Sequence, residues 1–301
     1  MKTAARAPWL LPALAFLLVW GAAGFVHEGV HSLPFLHNLV RDGAVLGVCA
    51  LGATLVILGG GIDLAVGAMV GCAATLAAVL VEDAGWHPLA AAPVVVAAGA
   101  GFGALQAAAV AATRLPSFLV TLAGMFFLRG AALLVSRESV AIAHPFHQAA
   151  GTAVAWVAAA VALVSVVAAA HLPLLRDLYA LGGHREAALL AGVRAFRAEL
   201  CAFAASGACA ALGGVLLTWK SAAGNPRAGL GLELEAIAAV VLGGTLLTGG
   251  RGGPLGTVFG VLVLTLVQVL LTFQSGLGPG WTRVVLGGLL LACVIPTLKR
   301  L

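Results

Sequence analysis

Residues 177–199, DLYALGGHREAALLAGVRAFRAE, form the longest break in an otherwise hydrophobic chain. Four arginines lie in or just before this stretch: Arg176, Arg185, Arg194 and Arg197. A basic break between two long apolar segments is typical of a cytoplasmic loop, so we predict that residues 172–199 lie in the cytoplasm. At its centre, REAALLAG predicts a short surface helix ended by a glycine, with no apolar stripe of its own to bury. Such a helix is suited to docking into a partner.

The composition of the chain is that of an integral membrane protein. Hydrophobic residues make up 62% of it and charged residues only 9%, and the mean hydropathy is +1.10. In a soluble domain about a quarter of the residues are charged, so this chain has too few polar groups to cover a globular surface. We predict an all-α integral membrane protein, a polytopic bundle of about ten transmembrane helices with some broken or re-entrant segments. The whole of residues 1–301 is expected to form a single transmembrane domain.

The apolar runs set the expected spans. We expect the first one to be retained rather than cleaved as a signal peptide. Residues 27–42, 137–151 and 219–231 are predicted as outer loops, and several spans are short enough to be broken or re-entrant. The predicted spans are 9–25, 43–58, 64–81, 89–113, 118–136, 152–171, 200–218, 232–247, 257–274 and 283–296.

The distribution of basic residues predicts the orientation. With both termini inside, ten of the 16 lysines and arginines fall on inner segments and six on outer ones. The positive-inside rule therefore favours two cytoplasmic termini. The same topology explains the net charge of +5 without nucleic acid as a partner.

Two charged residues stand inside apolar segments. Asp63 follows three glycines, and its carboxylate either caps the next helix or lines a pathway through the membrane. Arg129 lies in the outer third of its span, where the guanidinium either reaches the headgroups or faces a cavity.

The sequence also indicates what the chain lacks and how its helices pack. It has no C-x-x-C pair and no nucleotide, zinc-protease or serine-hydrolase motif, so we expect no catalytic residues, no metal site and no cofactor in this chain. Small residues four apart let helix backbones approach closely in lipid. Such pairs are Gly43/Gly47, Gly67/Gly71, Gly99/Gly103 and Gly256/Gly260.

Four motifs resemble a known family. GGGIDLAVGAMVG (59–71), RLPSFLVTLAGMFFLRGAALLVS (114–136), LYALGGHREAALLAGV (178–193) and AIAAVVLGGTLLTGGRGGPLGTVFG (236–260) are similar to the permeases of ribose-, xylose- and galactoside-type bacterial ABC importers. Within that group, SRESVAIAHPF, GLGLELEAIAAVVLGGTLL and GWTRVVLG look closest to one of the two permeases of a galactofuranose importer.

The resemblance implies a set of partners in the bacterial inner membrane. The permease would pair with a second permease subunit, identical or a sister, bind cytoplasmic ATPases that hold ATP and Mg, and receive a sugar from a periplasmic binding protein. The E-A-A-x-x-x-G signature of importer permeases falls on residues 186–192, within the coupling loop 172–199. The family's asparagine before the arginine is His184 here, and its serine after Asp63-Leu64 is Ala65. The residues expected to couple to the ATPase are Gly182, Gly183, Arg185, Glu186, Ala187, Ala188 and Gly192.

The expected mechanism is alternating access, with sugar selectivity supplied by the binding protein. Outer loops around Arg137, Lys220 and Arg227 are expected to meet that protein. A permease for branched-chain amino acids is the main alternative, and a secondary transporter is disfavoured because Asp63 is essentially the only mid-membrane carboxylate. The candidate pathway residues are Gly60, Asp63, Gly67, Thr121, Arg129 and Thr245.

Overall fold

The computed structural model describes residues 9–273 together with residues 284, 287 and 288. The predicted tenth span, 283–296, therefore lies almost entirely outside the described residues. Both chain ends, whose basic residues were counted in predicting the orientation, also lie outside them. Within the described part the chain folds into helices joined by short connections. They are α1 (Leu10–Val26), α2 (Leu33–Asp42), α3 (Ala44–Leu58), α4 (Val66–Glu82), α5 (Pro88–Thr113), α6 (Ser117–Val135), α7 (Pro145–Ala150), α8 (Ala153–His171), α9 (Pro173–Gly183), α10 (Arg185–Leu190), α11 (Ala195–Ser221), α12 (Leu232–Leu242) and α13 (Pro254–Phe273).

The all-α polytopic class is confirmed. Five helices, α5, α6, α8, α11 and α13, are long and apolar enough to cross a membrane. The pair α2 and α3 passes the same test together but bends by 56° at its break, while α1 and α4 are shorter apolar helices. Broken spans were therefore correctly expected.

Two predicted loops are wrong in part. Residues 27–42 were expected to form an outer loop, but α2 occupies Leu33–Asp42. The hydroxyl of Ser32 caps that helix by accepting a hydrogen bond from the amide of Phe35, and Pro34 stands in its first turn, where a missing N–H costs nothing.

The second error concerns residues 172–199, predicted as a loop with one short helix. They contain two helices, α9 and α10, and the start of α11. The helix that was not expected, α9, has an apolar stripe, because Leu175, Leu178 and Leu181 are buried. The residues at this spacing lie on one helix face, which turns towards the bundle.

The core is built around α11, a helix of 27 residues. It packs against α5, α3 and α4, and its closest crossing, with α5, is made by glycine. A Cβ added at Gly103 would collide with the carbonyl of Phe203, and one added at Gly207 would collide with that of Gly99. Of the four small-residue pairs noted in the sequence, Gly67/Gly71, Gly99/Gly103 and Gly256/Gly260 lie against backbone of other segments, whereas Gly43/Gly47 meets only side chains.

A short pair of strands joins the connection after α6 to the connection after α11. Strand β1 (Val140–Ala141) pairs antiparallel with β2 (Ala223–Gly224). Gly224 lies directly on α4, where an added Cβ would meet the backbone of Ala74. The chain after α11 is thereby guided back along α4 before α12 begins.

Candidate functional site

The α9 helix anchors the coupling segment to the bundle. Its buried leucines join a cluster with Val56 and Leu58 of α3 and with Ala202 and Phe203 of α11. The phenol of Tyr179 donates a hydrogen bond of 2.7 Å to the carbonyl of Gly252, in the connection between α12 and α13. Burial raises the pKa of this phenol, so it stays a protonated donor.

The α10 helix presents the predicted docking surface. It begins at His184, whose Nδ1 accepts from the amide of Ala187 at 3.3 Å, and the chain turns away at Gly192 with φ of +85°. Glu186 and Ala187 are exposed, and Leu190 is 91% exposed. An exposed leucine beside a carboxylate at the end of a short helix suits contact with a protein partner.

The coupling residues chosen from the sequence divide into two groups. Arg185 is exposed and forms an ion pair with Glu199 of α11, and Gly183 is also exposed. Ala188 is buried instead, at 5% exposure, and holds α10 against the bundle. Gly182 is turned inward, onto backbone of other segments.

Asp63 lies in the break between α3 and α4, and its carboxylate accepts two hydrogen bonds. Its Oδ1 accepts from the amide of Ala65 at 2.9 Å, and its Oδ2 accepts from the hydroxyl of Ser206 in α11 at 2.8 Å. The side chain is only 5% exposed. The expectation that Asp63 caps the next helix is wrong, because the N-cap residue of α4 is Ala65 and the carboxylate binds the amide of that residue instead of a first-turn amide of the helix. A pathway role for Asp63 stays a prediction.

Two hydroxyls of α6 bind the backbone of the same break. Thr121 accepts from the amide of Leu64 and donates to the carbonyl of Ile62, while Ser117 accepts from the amide of Ile62 at 3.0 Å. The backbone groups that the broken helix exposes are thus bound by side chains of a neighbour, which apolar surroundings require. Ser117 and Ser206 were missed from the sequence, where a serine in an apolar helix gives no sign of its partner.

Arg129 binds backbone carbonyls of the connection that precedes α12. Its Nη1 donates to Ala228 at 2.5 Å and faces Pro226 at 3.4 Å. Beside it, Gly71 leaves room for those carbonyls, and Gly67 leaves room for the carboxylate of Glu233. The structure thus places Gly67 and Arg129 on either side of one connection and adds Glu233, which was not among the predicted pathway residues although it lies at the start of the predicted span 232–247.

Thr245 stabilises the other break, between α12 and α13. It is 1% exposed, and its hydroxyl accepts from the amide of Gly253 at 3.2 Å. Gly60 of the α3–α4 break lies next to the backbone of Thr248, so the two breaks are in contact there. Among the described residues, the six pathway candidates do not all line one cavity.

A cleft of about 670 Å³ opens at the predicted cytoplasmic end. It lies between the end of α3, the connection from α5 to α6 and the start of α11. Its lining includes the charged residues Arg114, Arg185 and Glu199 and the aromatic residues Phe196 and Phe203. Of the six pathway candidates, only Gly60 lines this cleft.

No metal centre is found in the part of the chain that the structure describes, because no three His, Cys, Asp or Glu side chains are placed to hold an ion.

Comparison with known proteins identifies the family. The family model described as branched-chain amino acid transport system / permease component matches residues 35–294. The inner membrane ABC transporter permease protein YjfF of Escherichia coli K12 is 38% identical over 87% of this chain and 83% of its own length. No solved structure matches the chain significantly.

Two further relatives carry names that state a cargo. The ribose import permease protein RbsC of Escherichia coli K12 is 32% identical, covering 85% of this chain and 84% of its own. The fructose import permease protein FruG of Bifidobacterium longum is also 32% identical, covering 87% and 82%. With a family model over most of its length and relatives of this similarity, the chain belongs to the permease family of ABC importers.

Proposed function

We propose that this chain forms one half of the transmembrane pathway of an ATP-driven importer, and that the cargo is a monosaccharide. The observation that carries the proposal is α10, a short exposed helix with the E-A-A-x-x-x-G signature, in a chain whose relatives are named as ribose and fructose import permeases. Galactofuranose, suggested by the motif resemblance, is the cargo to test first. The family description names branched-chain amino acids, so an amino acid is the alternative cargo.

The proposed partners follow from the surfaces. An ATP-binding subunit holding ATP and Mg would grip α10 from the cytoplasm, and a second permease, identical or a sister, would complete the pathway. A periplasmic binding protein would deliver the sugar at the outer connections. There Lys220 is paired with Asp42 at 2.7 Å, so the exposed Arg137 and Arg227 are the better candidates for contact.

The mechanism that we propose is alternating access in the inner membrane, with both termini in the cytoplasm. Closure of the ATPases would displace α10, and the permease halves would rock to open the pathway outward. The cleft beside α10, with aromatic and charged walls, is suited to form its cytoplasmic opening. Few polar side chains are needed in the permease, because selectivity comes from the binding protein.

The docking surface is tested by charge reversal. We would purify the chain together with its co-expressed ATP-binding subunit and compare Glu186→Lys with Glu138→Lys, an exposed carboxylate on the opposite side. Glu186→Lys should reduce the co-purified ATPase about tenfold, as loss of one interface hot spot does, and Glu138→Lys should leave it unchanged. Equal recovery with Glu186→Lys would show that α10 is not the docking surface.

The cargo is tested by ligand binding to the co-expressed periplasmic protein. A monosaccharide should bind to this periplasmic protein, and the assembled transporter should take up the same monosaccharide. Binding of leucine or valine instead would replace the sugar with a branched-chain amino acid.

A further inference from the structure

We propose that Gly182 and Tyr179 transmit the movement of α10 to two breaks between helices, the α3–α4 break (residues 59–65) and the α12–α13 break (residues 243–253). The inference rests on the proposed function, and it gives Gly182 a role inside the bundle instead of on the surface that meets the ATPase. The contact among these segments is called the glycine junction below, and it consists of Gly60, Gly182, Gly249 and Gly250.

The backbone at Gly182 touches both breaks directly. A Cβ added there would collide with the carbonyl oxygen of Leu58 and the amide nitrogen of Gly250, and would lie 2.9 Å from the Cα of Gly249. Leu58 ends α3, and Gly249 and Gly250 lie between α12 and α13. Three distant parts of the chain therefore meet with no side chain between them.

The turns at this junction require glycine for their own backbone conformation. Gly60, Gly249 and Gly250 have φ of +82°, +85° and +73°, a region that other residues rarely adopt. A Cβ at Gly249 would also lie 2.8 Å from the Cα of Gly182 and 2.8 Å from the amide of Gly60. A side chain at Gly60, Gly249 or Gly250 would strain the backbone, and one at Gly182 or Gly249 would collide with neighbouring backbone.

Two hydrogen bonds fasten the same segments. The amide of Gly250 donates to the carbonyl of Leu58 at 3.0 Å, joining one break to the other. The phenol of Tyr179 donates to Gly252, so α9 is attached to the second break one turn before Gly182. The end of α9 is thus bonded to one break and packed against both.

These contacts form a short mechanical route from α10. That helix begins two residues after Gly183, so a displacement of α10 pulls on the end of α9. Close-packed interiors have little compressibility, and backbone in contact with backbone has no rotamers that could absorb a shift. The α3–α4 break carries Asp63, and the other carries Thr245, so the displacement arrives at segments that hold candidate pathway residues.

The inward side of Gly182 distinguishes it from its neighbour. A Cβ at Gly183 would meet nothing within 4 Å, and Gly183 is exposed beside α10. Gly183 suits the surface that docks the ATPase, whereas the contacts of Gly182 are internal.

The test uses the complete transporter in proteoliposomes, with its ATP-binding subunit and its sugar-loaded binding protein. Gly182→Ala adds one methyl group at the junction, and Gly101→Ala adds the same group to α5 where it meets nothing within 4 Å. The Gly182→Ala variant should still bind the ATPase, and the basal ATP hydrolysis should be unchanged. The amount of sugar transported per ATP hydrolysed should fall about tenfold, which is within the usual range of coupling between two sites. Gly101→Ala should match the unaltered chain in all four measurements: association, basal hydrolysis, stimulated hydrolysis and uptake.

A milder variant decides the case where Gly182→Ala fails to assemble. Tyr179→Phe keeps the ring and removes only the hydrogen bond to Gly252, and should lower sugar moved per ATP about fivefold through the loss of one bond. Full coupling in Tyr179→Phe, or in an assembled Gly182→Ala, overturns the inference. So does a Gly182→Ala variant that folds but no longer binds the ATPase, because Gly182 would then belong to the docking surface. If the unaltered chain captures no ATPase, the proposed function itself fails.

Discussion

The two charged residues that the sequence placed inside apolar segments are bound mainly by backbone. Asp63 accepts from an amide and a serine hydroxyl, and Arg129 donates to carbonyls. Broken helices leave amides and carbonyls without intrahelical partners, and no water in a bilayer can satisfy them. Asp63 stabilises such groups in the α3–α4 break, and Arg129 stabilises carbonyls of the connection that precedes α12, while those groups stabilise the two charges. Both charges therefore lie against backbone that has no partner within a helix.

The contribution of Arg129 can be measured by replacing it. Arg129→Met keeps the length of the side chain and leaves the carbonyls of Pro226 and Ala228 without their donor, which should cost about 1–3 kcal/mol of unfolding free energy. Thermal unfolding in detergent should therefore shift to lower temperature. Arg137→Met, at an exposed position, should leave the unfolding temperature unchanged. An unaltered midpoint for Arg129→Met would mean that the carbonyls do not depend on this arginine.

At the scale of the elements, glycine decides which helices approach closely. Gly99 and Gly103 let α5 lie against the backbone of α11, and Gly67 and Gly71 let the segment before α12 lie against α4. The spacing of these pairs was visible in the sequence, but the partner of each was not. A chain with 40 glycines offers many such pairs, and only packing selects among them.

The α5–α11 crossing gives a matched pair of substitutions on one helix. Gly99→Leu places a bulky side chain against Ala211 and the backbone of Gly207, whereas Gly101→Leu points into open space. Overpacking costs about 1–3 kcal/mol or more, so Gly99→Leu should lower the thermal stability and the yield of monodisperse protein. Gly101→Leu should retain both, since leucine is tolerated where a helix faces lipid. Equal stability of the two variants would show that α5 and α11 lie farther apart at Gly99 than in this structure.

At the scale of the whole molecule, the connections between the helices lie at two ends of the bundle. The coupling segment and the α5–α6 connection share the end where the cleft opens. The β1–β2 pair and the connection that contains Arg137 lie after helices that run the other way. Orientation of the chain in the membrane stays a prediction from charge, and labelling decides it.

Labelling with a membrane-impermeant maleimide separates the two sides. In cells with a permeable outer membrane, Arg137→Cys should be labelled, and Arg194→Cys only after lysis, because the reagent cannot reach the cytoplasm. The unaltered chain supplies the background from its own cysteines, of which Cys49, Cys72, Cys201 and Cys209 lie in the helices α3, α4 and α11. Labelling of Arg194→Cys in intact cells would place α10 outside and would leave the ATPase nothing to bind.

Much of the fold could be predicted because its signals are local. Long apolar runs gave the positions of α3, α5, α6 and α8 within a few residues, and the basic break gave the place of α10. The helix α2 was missed because its ten residues include His37, Asn38, Arg41 and Asp42, and such polarity was taken for a loop. In the candidate site, the E-A-A-x-x-x-G signature correctly predicted that Glu186 lies in a short exposed helix and that Gly192 follows its end.

By itself, the sequence determined the class of the protein, an all-α membrane permease with a short helix suited to docking. The length of an apolar run and the position of a charge are properties of neighbouring residues. Only the tertiary structure decided that Asp63 binds Ser206, 143 positions away, and that Gly182 lies against Leu58 and Gly250. Such pairings depend on which helices cross and how closely their backbones approach, and that is settled by the packing of the whole bundle.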